Sequence, residues 1–497
     1  MNRVLMQKFR RDQSITQTNT QTRACRVAAL ITASGATLVL LSAGGCTANQ
    51  AQDVQIYRDV LTLDSSVDYS PGEPLTLFKA VLLTNQTNET LAIEGENYLQ
   101  AIIDRKRSVA SFLPTLDLLP TYRFQDATTS PIPGLSESEQ FDTTLSGNIT
   151  LFDGFRNANR LNASDMTIEQ RRWLLLDLRE SLLLDVARVY YRVLRDEQRV
   201  LVLENAVTVQ EERVRDIRAR QRIGVVRPLD ASQTEAQLSQ TRVGLLNAQN
   251  AVRTGRIALS FLTGTDLANS PLSDGFDLPE SPPTLDELLS IAQANRQDLA
   301  AASAQAQAAR HNVDVAIGKY APSVSLNLDY FLTRDTFPSE SDWLGMLRVN
   351  IPIFSAGRIE ADVRQAWSQF RQSVLGYSLL RRQIQQDVEL AYQDVRTSIA
   401  RMTELKVQLK AAQESLRQAE ASYQEGLGTN LERISAQDQL LNSQLLLASE
   451  VYDQKTFYLT AYRAIGSITE GTLGLTLPPQ PMPRAVLESP FVYLPSK

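Results

Sequence analysis

Histidine, cysteine and tryptophan are scarce in this chain of 497 residues, which contains one, two and three of them. The single histidine, His311, is too little for a metal centre, and we interpret it as a surface residue of a helix. Two cysteines are too few for a disulfide framework. The sequence also lacks a glycine-rich phosphate loop and a nucleophile paired with a base. We therefore expect no catalytic residue, no metal site and no enzymatic activity.

A basic face and long apolar helices are missing as well. The net charge is −6 at pH 7, whereas a nucleic-acid-binding protein presents clustered lysine and arginine, so no nucleic-acid partner is expected. The mean hydropathy of −0.21 excludes a bundle of transmembrane helices. If the protein lies in a membrane, it must cross the membrane as β-strands, because their alternating pattern keeps the average hydropathy low.

The N-terminus has the pattern of a secretory signal. Two arginines precede an apolar stretch, Val27 to Leu41, and small residues then lead to Cys46. This order resembles a bacterial lipoprotein signal, which implies cleavage before Cys46, a covalent lipid on its thiol and a membrane-tethered N-terminal segment. Ala43 stands where such signals usually have leucine, so simple signal cleavage beside an incidental cysteine is the alternative. The long polar stretch before the arginines leaves the true start codon open.

The rest of the chain consists of two copies of one unit. An offset of 202 residues relates Gly224 to Gly426 and Gly264 to Gly466. A linker containing proline and serine separates the copies. The predicted segments are a signal peptide, a lipid-anchored N-terminal segment, repeat 1, a linker, repeat 2 and a C-terminal tail, at residues 1–45, 46–74, 75–264, 265–283, 284–466 and 467–497.

Each unit is predicted to open with one helix and to continue with a β-hairpin. The opening helices run from Leu75 to about Val109 and from Leu285 to about Gly318. A period of two residues follows and predicts hairpins at about 112–153 and 322–354, with strands of about ten residues, long enough to cross a bilayer when tilted. A soluble hairpin packed on helices would show the same pattern. The apolar positions that alternate in repeat 2 begin with Val324, Leu326, Leu328, Tyr330 and Leu332.

Very long helices make up most of the remainder. The stretch 157–223 contains no glycine and no proline, and at 1.5 Å per residue it reaches roughly 100 Å, which indicates a coiled coil or helical tube. Its valines recur every seven residues, as a coiled-coil seam requires. Glycine ends the long helices and Pro228 suits the start of the next one. The predicted long helices are 157–223, 229–262, 359–425 and 430–465, and the turns between them contain Gly224, Pro228, Gly426 and Gly428.

Four amphipathic strands are too few to close a membrane barrel, so the chain must assemble with others if the strands lie in lipid. In this arrangement the sequence resembles the TolC-like outer membrane factor family, in its lipoprotein (NodT-type) branch. The resemblance depends on the tandem repeat and on four motifs. These are Leu151 to Gly154, Ile351 to Phe354, the turn glycines Gly224 and Gly426, and Ala464 to Gly466.

The resemblance implies an α+β fold and a homotrimer. Four antiparallel strands per protomer would form a twelve-stranded transmembrane β-barrel, continued by a coiled-coil α-helical barrel in the periplasm. The helical turns would meet a periplasmic adaptor coupled to an inner-membrane pump. The corners between strand and helix would lie at Phe152, Gly154, Phe354 and Gly357.

Two acidic residues near the turns are candidate pore residues. The resemblance aligns Glu432 with the first acidic ring of the family, and threefold symmetry would set three such carboxylates around one axis. The alternative is that Glu432 is an ordinary acidic residue at a helix N-terminus. For Asp230, its counterpart in repeat 1, a helix-start role is the favoured interpretation. Ser435 stands where some family members have a second acid, and Gly428 where the best-known member has a basic residue, so the resemblance implies a gate that is weaker or held by different contacts.

The expected function is passive conduction of small molecules, such as drugs and toxic compounds, from adaptor and pump to the exterior. The protein would be lipid-anchored in the outer membrane with a large periplasmic part, and it would need no cofactor beyond the covalent lipid. A conduit for type I protein secretion is the alternative. A periplasmic scaffold without a barrel is a third hypothesis, which the two hairpin-bearing repeats disfavour.

Overall fold

A computed structural model describes residues 50–61, 69, 72–124, 139–278, 284–335 and 341–469. The predicted signal peptide, Cys46 and nearly all of the C-terminal tail lie outside the described residues. Within them, none of the helices combines the length and the apolar character that crossing a bilayer requires.

The elements of the first half follow one another as short helices, a hairpin and two long helices. In chain order they are α1 (Gln50–Leu61), β1 (Leu75–Thr76), α2 (Leu77–Thr87), α3 (Glu89–Ala110), β2 (Thr115–Phe124), β3 (Glu139–Phe152), α4 (Arg156–Arg222) and α5 (Pro228–Thr263).

From its short strand onward, the second half has the same order of helices and strands, with a 3-10 turn added before its hairpin. In chain order they are β4 (Leu272–Ser273), α6 (Leu285–Asn295), α7 (Gln297–Ile317), a 3-10 turn (Gly318–Tyr320), β5 (Ser323–Thr333), β6 (Trp343–Asn350), α8 (Arg358–Gln424) and α9 (Asn430–Ala464).

The prediction of one continuous opening helix per unit was wrong. Leu75 and Thr76 form β1, which pairs in parallel with β4 inside the predicted linker. The helices then break at Asn88 and Arg296, whose backbones are extended. At Asn88 the side chain accepts hydrogen bonds from the next helix, so the residue closes α2 and caps α3. Local capping and pairing with a distant strand therefore override the helical periodicity.

The hairpins of the two halves join in one antiparallel sheet of order β2-β3-β5-β6. Within this sheet the two halves meet where β3 pairs with β5, and β2 and β6 are the edge strands. The alternating pattern predicted a strand as far as Phe354, but β6 ends at Asn350. Pro352 has no amide hydrogen for a ladder bond, which explains the early end.

The long helices lie side by side, with α4 between α5 and α9, and α9 between α4 and α8. The short helix α3 packs on α4, and α7 packs on α4 and α8. Where these helices meet, Tyr190, Leu259 and Leu459 are fully buried. The Tyr190 hydroxyl lies 2.7 Å from the carbonyl oxygens of both Leu75 and Ser273, so it ties the β1–β4 pair to α4.

The segment after α9 is fastened to α4 by a buried carboxylate. Glu180 accepts hydrogen bonds from the Ile468 amide, at 3.1 Å, and from the Thr469 hydroxyl. Burial raises the pKa of Glu180, although the neighbouring Arg179 guanidinium opposes the shift. The same burial lowers the pKa of Arg179. The end of the second half is thereby attached to the first half.

The valine seam of α4 is buried to different degrees along its length. Val186, Val193 and Val214 are buried, whereas Val200 and Val207 are half-buried. At Gly255 the two helices approach so closely that a Cβ atom would lie 2.8 Å from Val193 Cγ2. Gln210, also in the seam, is buried with neither amide atom hydrogen-bonded within the described residues.

Candidate functional site at the helical turns and corners

The turn after α4 is closed by a left-handed glycine. Gly224 has a φ of +76°, and its amide donates to the Gln221 carbonyl oxygen. The Val225 amide donates to the Arg220 carbonyl oxygen at 3.0 Å. These two bonds form a Schellman motif, which satisfies the last carbonyl groups of the helix. Pro228 then occupies the first position of α5, where its missing amide hydrogen has no cost.

The turn after α8 repeats this geometry and adds a capping box. Gly426 has a φ of +75°, and the amides of Gly426 and Leu427 donate to the carbonyl oxygens of Tyr423 and Ser422. Gly428 has an ordinary backbone, but a Cβ atom there would lie 3.1 Å from Ser422 Cβ. The left-handed backbone therefore requires glycine at position 426, and the close approach to Ser422 favours glycine at position 428.

Glu432 belongs to the capping box at the start of α9. Its carboxylate accepts the Thr429 amide at 3.0 Å, and its own amide donates to the Thr429 hydroxyl at 3.2 Å. The side chain is exposed. This geometry supplies the helix-start role considered for Glu432.

Asp230 is paired and buried, unlike its counterpart Glu432. The Arg227 guanidinium donates two hydrogen bonds to the Asp230 carboxylate, at 3.0 and 3.1 Å. Asp230 lies in the first turn of α5, where a negative charge is favourable.

Asn430 joins the two turns. Its side-chain amide donates to the Asp230 carbonyl oxygen at 3.2 Å and lies 3.3 Å from the Thr234 hydroxyl. The Arg433 guanidinium donates to the Asn430 side-chain oxygen and lies over the Tyr423 ring, 4.3 Å from its centroid. No local pattern in the sequence marks this contact, because its partners lie about 200 residues apart.

A second link between the halves lies one to two turns further along the helices. Arg213 of α4 donates hydrogen bonds to Glu420 of α8 and to Gln437 of α9. Burial lowers the pKa of the Arg213 guanidinium, while Glu420 opposes this effect. One arginine thus connects three of the four long helices near the turns.

The corners between strand and helix also depend on glycine, but in different positions. Gly154 and Phe155 are both left-handed before α4, and Ala356 and Gly357 are both left-handed before α8. The offset of 202 aligns Gly154 with Ala356, so the glycine comes first in one corner and second in the other.

The two phenylalanines predicted at the corners differ in their surroundings. Phe152 ends β3, and its ring makes an edge contact with the ring of Phe155. Phe354 lies beyond the end of β6 and is 89% exposed.

No group of histidine, cysteine and acidic side chains among the described residues is arranged to hold a metal ion.

Comparison with known proteins gives one consistent result. The profile of the family described as "Outer membrane efflux protein" matches residues 100–265 and 288–467. The outer membrane efflux protein BepC of Brucella suis biovar 1 is 27% identical over 335 residues, which cover 66% of this chain and 72% of BepC. The probable efflux pump outer membrane protein TtgC of Pseudomonas putida is 28% identical over 302 residues, which cover 58% of this chain and 60% of TtgC.

Solved structures show the same fold. VceC of Vibrio cholerae superposes with a TM-score of 0.69 at 19% identity, over 79% of this chain and 96% of VceC. The CmeC outer membrane channel of Campylobacter jejuni superposes with a TM-score of 0.71 at 17% identity, over 83% of this chain and 92% of CmeC. Since the family profile covers more than half of the sequence, the chain belongs to the outer membrane efflux protein family.

Proposed function

We propose that three copies of this chain form an outer-membrane duct that passively conducts small molecules from a periplasmic adaptor and an inner-membrane pump to the exterior. The observation that carries the proposal is the family match, combined with a four-stranded sheet whose two edges are open in the protomer. Relatives in Pseudomonas putida are named as antibiotic and toluene efflux pump outer membrane proteins, which supports a small-molecule cargo.

The open sheet edges support assembly into a trimer. In lipid, unpaired backbone amide and carbonyl groups cost several kcal/mol each, so a sheet of four strands is not viable alone. Pairing β2 of one copy with β6 of the next would use both edges, and three copies would give a closed barrel of twelve strands. Its lipid-facing surface would include the exposed side chains of Leu116, Leu118, Tyr122 and Phe124.

The helical layer has matching open sides. In the protomer, α5 and α8 form its outer edges, and each exposes apolar side chains along its length. Burying these side chains between copies would contribute about 25 cal/mol per Å² of apolar surface. The side chains concerned are Val243, Leu246, Ile257 and Phe261 on α5, and Leu375, Leu379, Leu390 and Val407 on α8.

The turns after α4 and α8 are the proposed contact with the adaptor, and Glu432 is the proposed pore acid. The turns expose apolar side chains, Val225 and Leu229 in one and Leu427 and Leu431 in the other. Apolar groups displayed at the end of a helical layer are suited to binding a partner.

Intracellular accumulation of a fluorescent efflux dye tests the proposed cargo. A deletion strain should accumulate more dye than the same strain complemented with the gene, while a strain complemented with the empty vector should match the deletion. Equal accumulation in all strains would contradict small-molecule efflux of that dye. A specific loss of a secreted protein from the medium of the deletion strain would instead favour type I secretion.

We also propose that Cys46 carries a lipid that anchors the mature N-terminus. This proposal rests on the order of features in residues 1–45, where a basic region, an apolar stretch and then small residues lead to this cysteine. Metabolic labelling with radioactive palmitate should mark the wild-type protein and leave Cys46→Ser unlabelled. Equal labelling of both proteins would rule out Cys46 as the modified residue.

A further inference from the structure

A groove with a volume of about 600 Å³ runs along the contact between α4 and α9, and two leucines of α8 also line it. α4 lines the groove between positions 198 and 213, and α9 lines it between positions 437 and 452. Each stretch corresponds to about 22 Å of helix. Because α4 and α9 are the two inner helices of the layer, copies added at the α5 and α8 edges would leave this groove within each protomer.

The groove is closed at both ends and accessible along its side. At one end Arg213 donates hydrogen bonds to Glu420 and Gln437. At the other end the Tyr452 ring stacks on the Tyr191 ring, with 6.4 Å between their centroids. Two lining valines are exposed, so the groove is open to solvent between its ends. The exposed valines are Val209 on α4 and Val451 on α9.

The dimensions of the groove decide which class of molecule fits. A volume of about 600 Å³ over about 22 Å of length corresponds to a width of about 6 Å. An α-helix with its side chains is about 10–12 Å wide, so a helix of a partner protein would not enter. Carbon atoms in contact lie about 4 Å apart, so a single extended hydrocarbon chain fits.

The walls are apolar enough to hold such a chain. Small-molecule sites are lined mainly by apolar side chains, with a few polar groups that orient the ligand. The half-buried apolar side chains of this lining include Val202, Ala206, Leu440, Leu441, Leu447 and Ala448.

The charges and polar groups of the lining favour an uncharged ligand. Among the described residues that line the groove, Arg213 is the charged one, and the Glu420 carboxylate offsets its charge. Gln198 and Gln444 are half-buried in the lining, and their side-chain amides have no partner in the described part of the chain. A neutral amide hydrogen-bonds hydroxyl, ester and amide groups and requires no opposite charge on the ligand.

We propose that this groove binds one uncharged amphiphile with an extended hydrocarbon chain, whose polar group contacts Gln198 or Gln444. Position 198 lies about 60 Å along α4 from its start beside the sheet, so the ligand comes from solution and not from lipid around the strands. The inference goes beyond the proposed function, because it assigns a binding site in the helical layer and not a path for cargo.

A matched pair of fluorescent probes, dansylaminoundecanoic acid and its uncharged methyl ester, tests the proposal. The full-length protein is held in lipid nanodiscs without detergent, since detergent chains would compete for the groove, and the signal of empty nanodiscs is subtracted. The wild-type protein should bind the ester more tightly than the acid. Native mass spectrometry should count one ester for each chain.

Filling the groove should abolish this binding. Ala206→Trp places an indole in the groove and should weaken ester binding at least about tenfold, because the apolar contact area is lost. Ala219→Trp is the matched control, since Ala219 is exposed on the same helix about 20 Å away, and it should bind like wild type. Ala448→Trp, on the facing wall, should reproduce the loss, and circular dichroism verifies that each variant remains helical.

Removing the charge that offsets Arg213 should change the preference for the two probes. Glu420→Gln leaves the guanidinium at the end of the groove without a carboxylate, so binding of the acid should strengthen roughly threefold to tenfold relative to the ester.

Four results would overturn the proposal. They are a wild-type protein that binds the ester no better than empty nanodiscs do, equal binding of acid and ester, equal effects of Ala206→Trp and Ala219→Trp, and a phospholipid retained in place of the ester. An unchanged preference in Glu420→Gln would likewise contradict the charge argument. Dye export by cells is measured separately, so failure of the duct function is distinguished from failure of this site.

Discussion

At each corner between sheet and long helix, two consecutive residues have left-handed backbones and only one of them is glycine. Phe155 and Ala356 therefore adopt a conformation that costs a residue with a side chain about 1–2 kcal/mol. The surroundings explain where the glycine is needed. A Cβ atom on Gly154 would lie 2.4 Å from the Gly318 carbonyl oxygen, whereas a Cβ atom on Gly357 would meet nothing within 4 Å.

Gly154→Ala should consequently be more damaging than Gly357→Ala. We expect a loss of about 2–4 kcal/mol for Gly154→Ala, since backbone must move, and about 1 kcal/mol for Gly357→Ala from strain alone. The midpoint of thermal loss of the helical circular dichroism signal measures both. Equal midpoints for the two variants would show that the contact with Gly318 does not limit the corner.

One substitution separates the helix-start role of Glu432 from its proposed role as a pore acid. Glutamine preserves the capping box, because its side-chain oxygen also accepts the Thr429 amide, but it removes the charge. Glu432→Gln should therefore reduce the cation selectivity of the reconstituted pore and leave the free energy of unfolding within about 0.5 kcal/mol of wild type. Unchanged selectivity in planar bilayers would limit Glu432 to its role at the helix start. Glu432→Ala, which removes both functions, is the comparison variant.

At the scale of elements, the room between α4 and α5 differs from place to place along their contact. The two glycines inside α5 illustrate this. Gly255 faces Val193 with no room for a methyl group, while a Cβ atom on Gly244 would lie 3.7 Å from Leu203 Cδ2, an ordinary contact.

Substituting each of these glycines by alanine should give different outcomes. Gly244→Ala should stabilise the protein by about 0.5–1 kcal/mol, because alanine favours the helical backbone. In Gly255→Ala the clash with Val193 should cancel that gain or exceed it, forcing the helices apart. Thermal or denaturant unfolding of both variants, compared with wild type, checks the difference. A stabilising Gly255→Ala would mean that Val193 can move away at no cost.

At the scale of the whole molecule, the protomer leaves the edge strands of its sheet and apolar side chains on α5 and α8 uncovered, which favours assembly with further copies. Phe261 at the α5 edge is 82% exposed in the protomer, which is unusual for so large an apolar side chain unless a partner covers it.

Phe261→Asp should therefore prevent or weaken trimer formation, because a carboxylate would be buried without a partner in the interface. Phe261→Leu is the control and should assemble normally. Light scattering coupled to size-exclusion chromatography in detergent reports the mass of each variant, and circular dichroism verifies that both remain helical. A trimeric Phe261→Asp protein would place this edge outside the interface.

The long helices could be predicted because their signals are local. Both segments lack proline and end at glycines, and the first also lacks glycine and carries the seven-residue repeat of valine. The observed bounds Arg156–Arg222 and Arg358–Gln424 differ from the predicted ones by one residue. The turn glycines Gly224 and Gly426 have the left-handed backbone that a helix cap predicts.

Other features were decided only by the tertiary structure. The breaks at Asn88 and Arg296, the short β1–β4 pair, the pairing of β3 with β5 and the bond from Asn430 to Asp230 are of this kind. Most of them satisfy hydrogen-bonding groups with partners about 170 to 200 residues away. Sequence periodicity reports only which side of an element is apolar. The sequence therefore determined the lengths, ends and apolar faces of the long helices, whereas the choice among distant polar partners depended on which groups the packed helices brought within hydrogen-bonding distance.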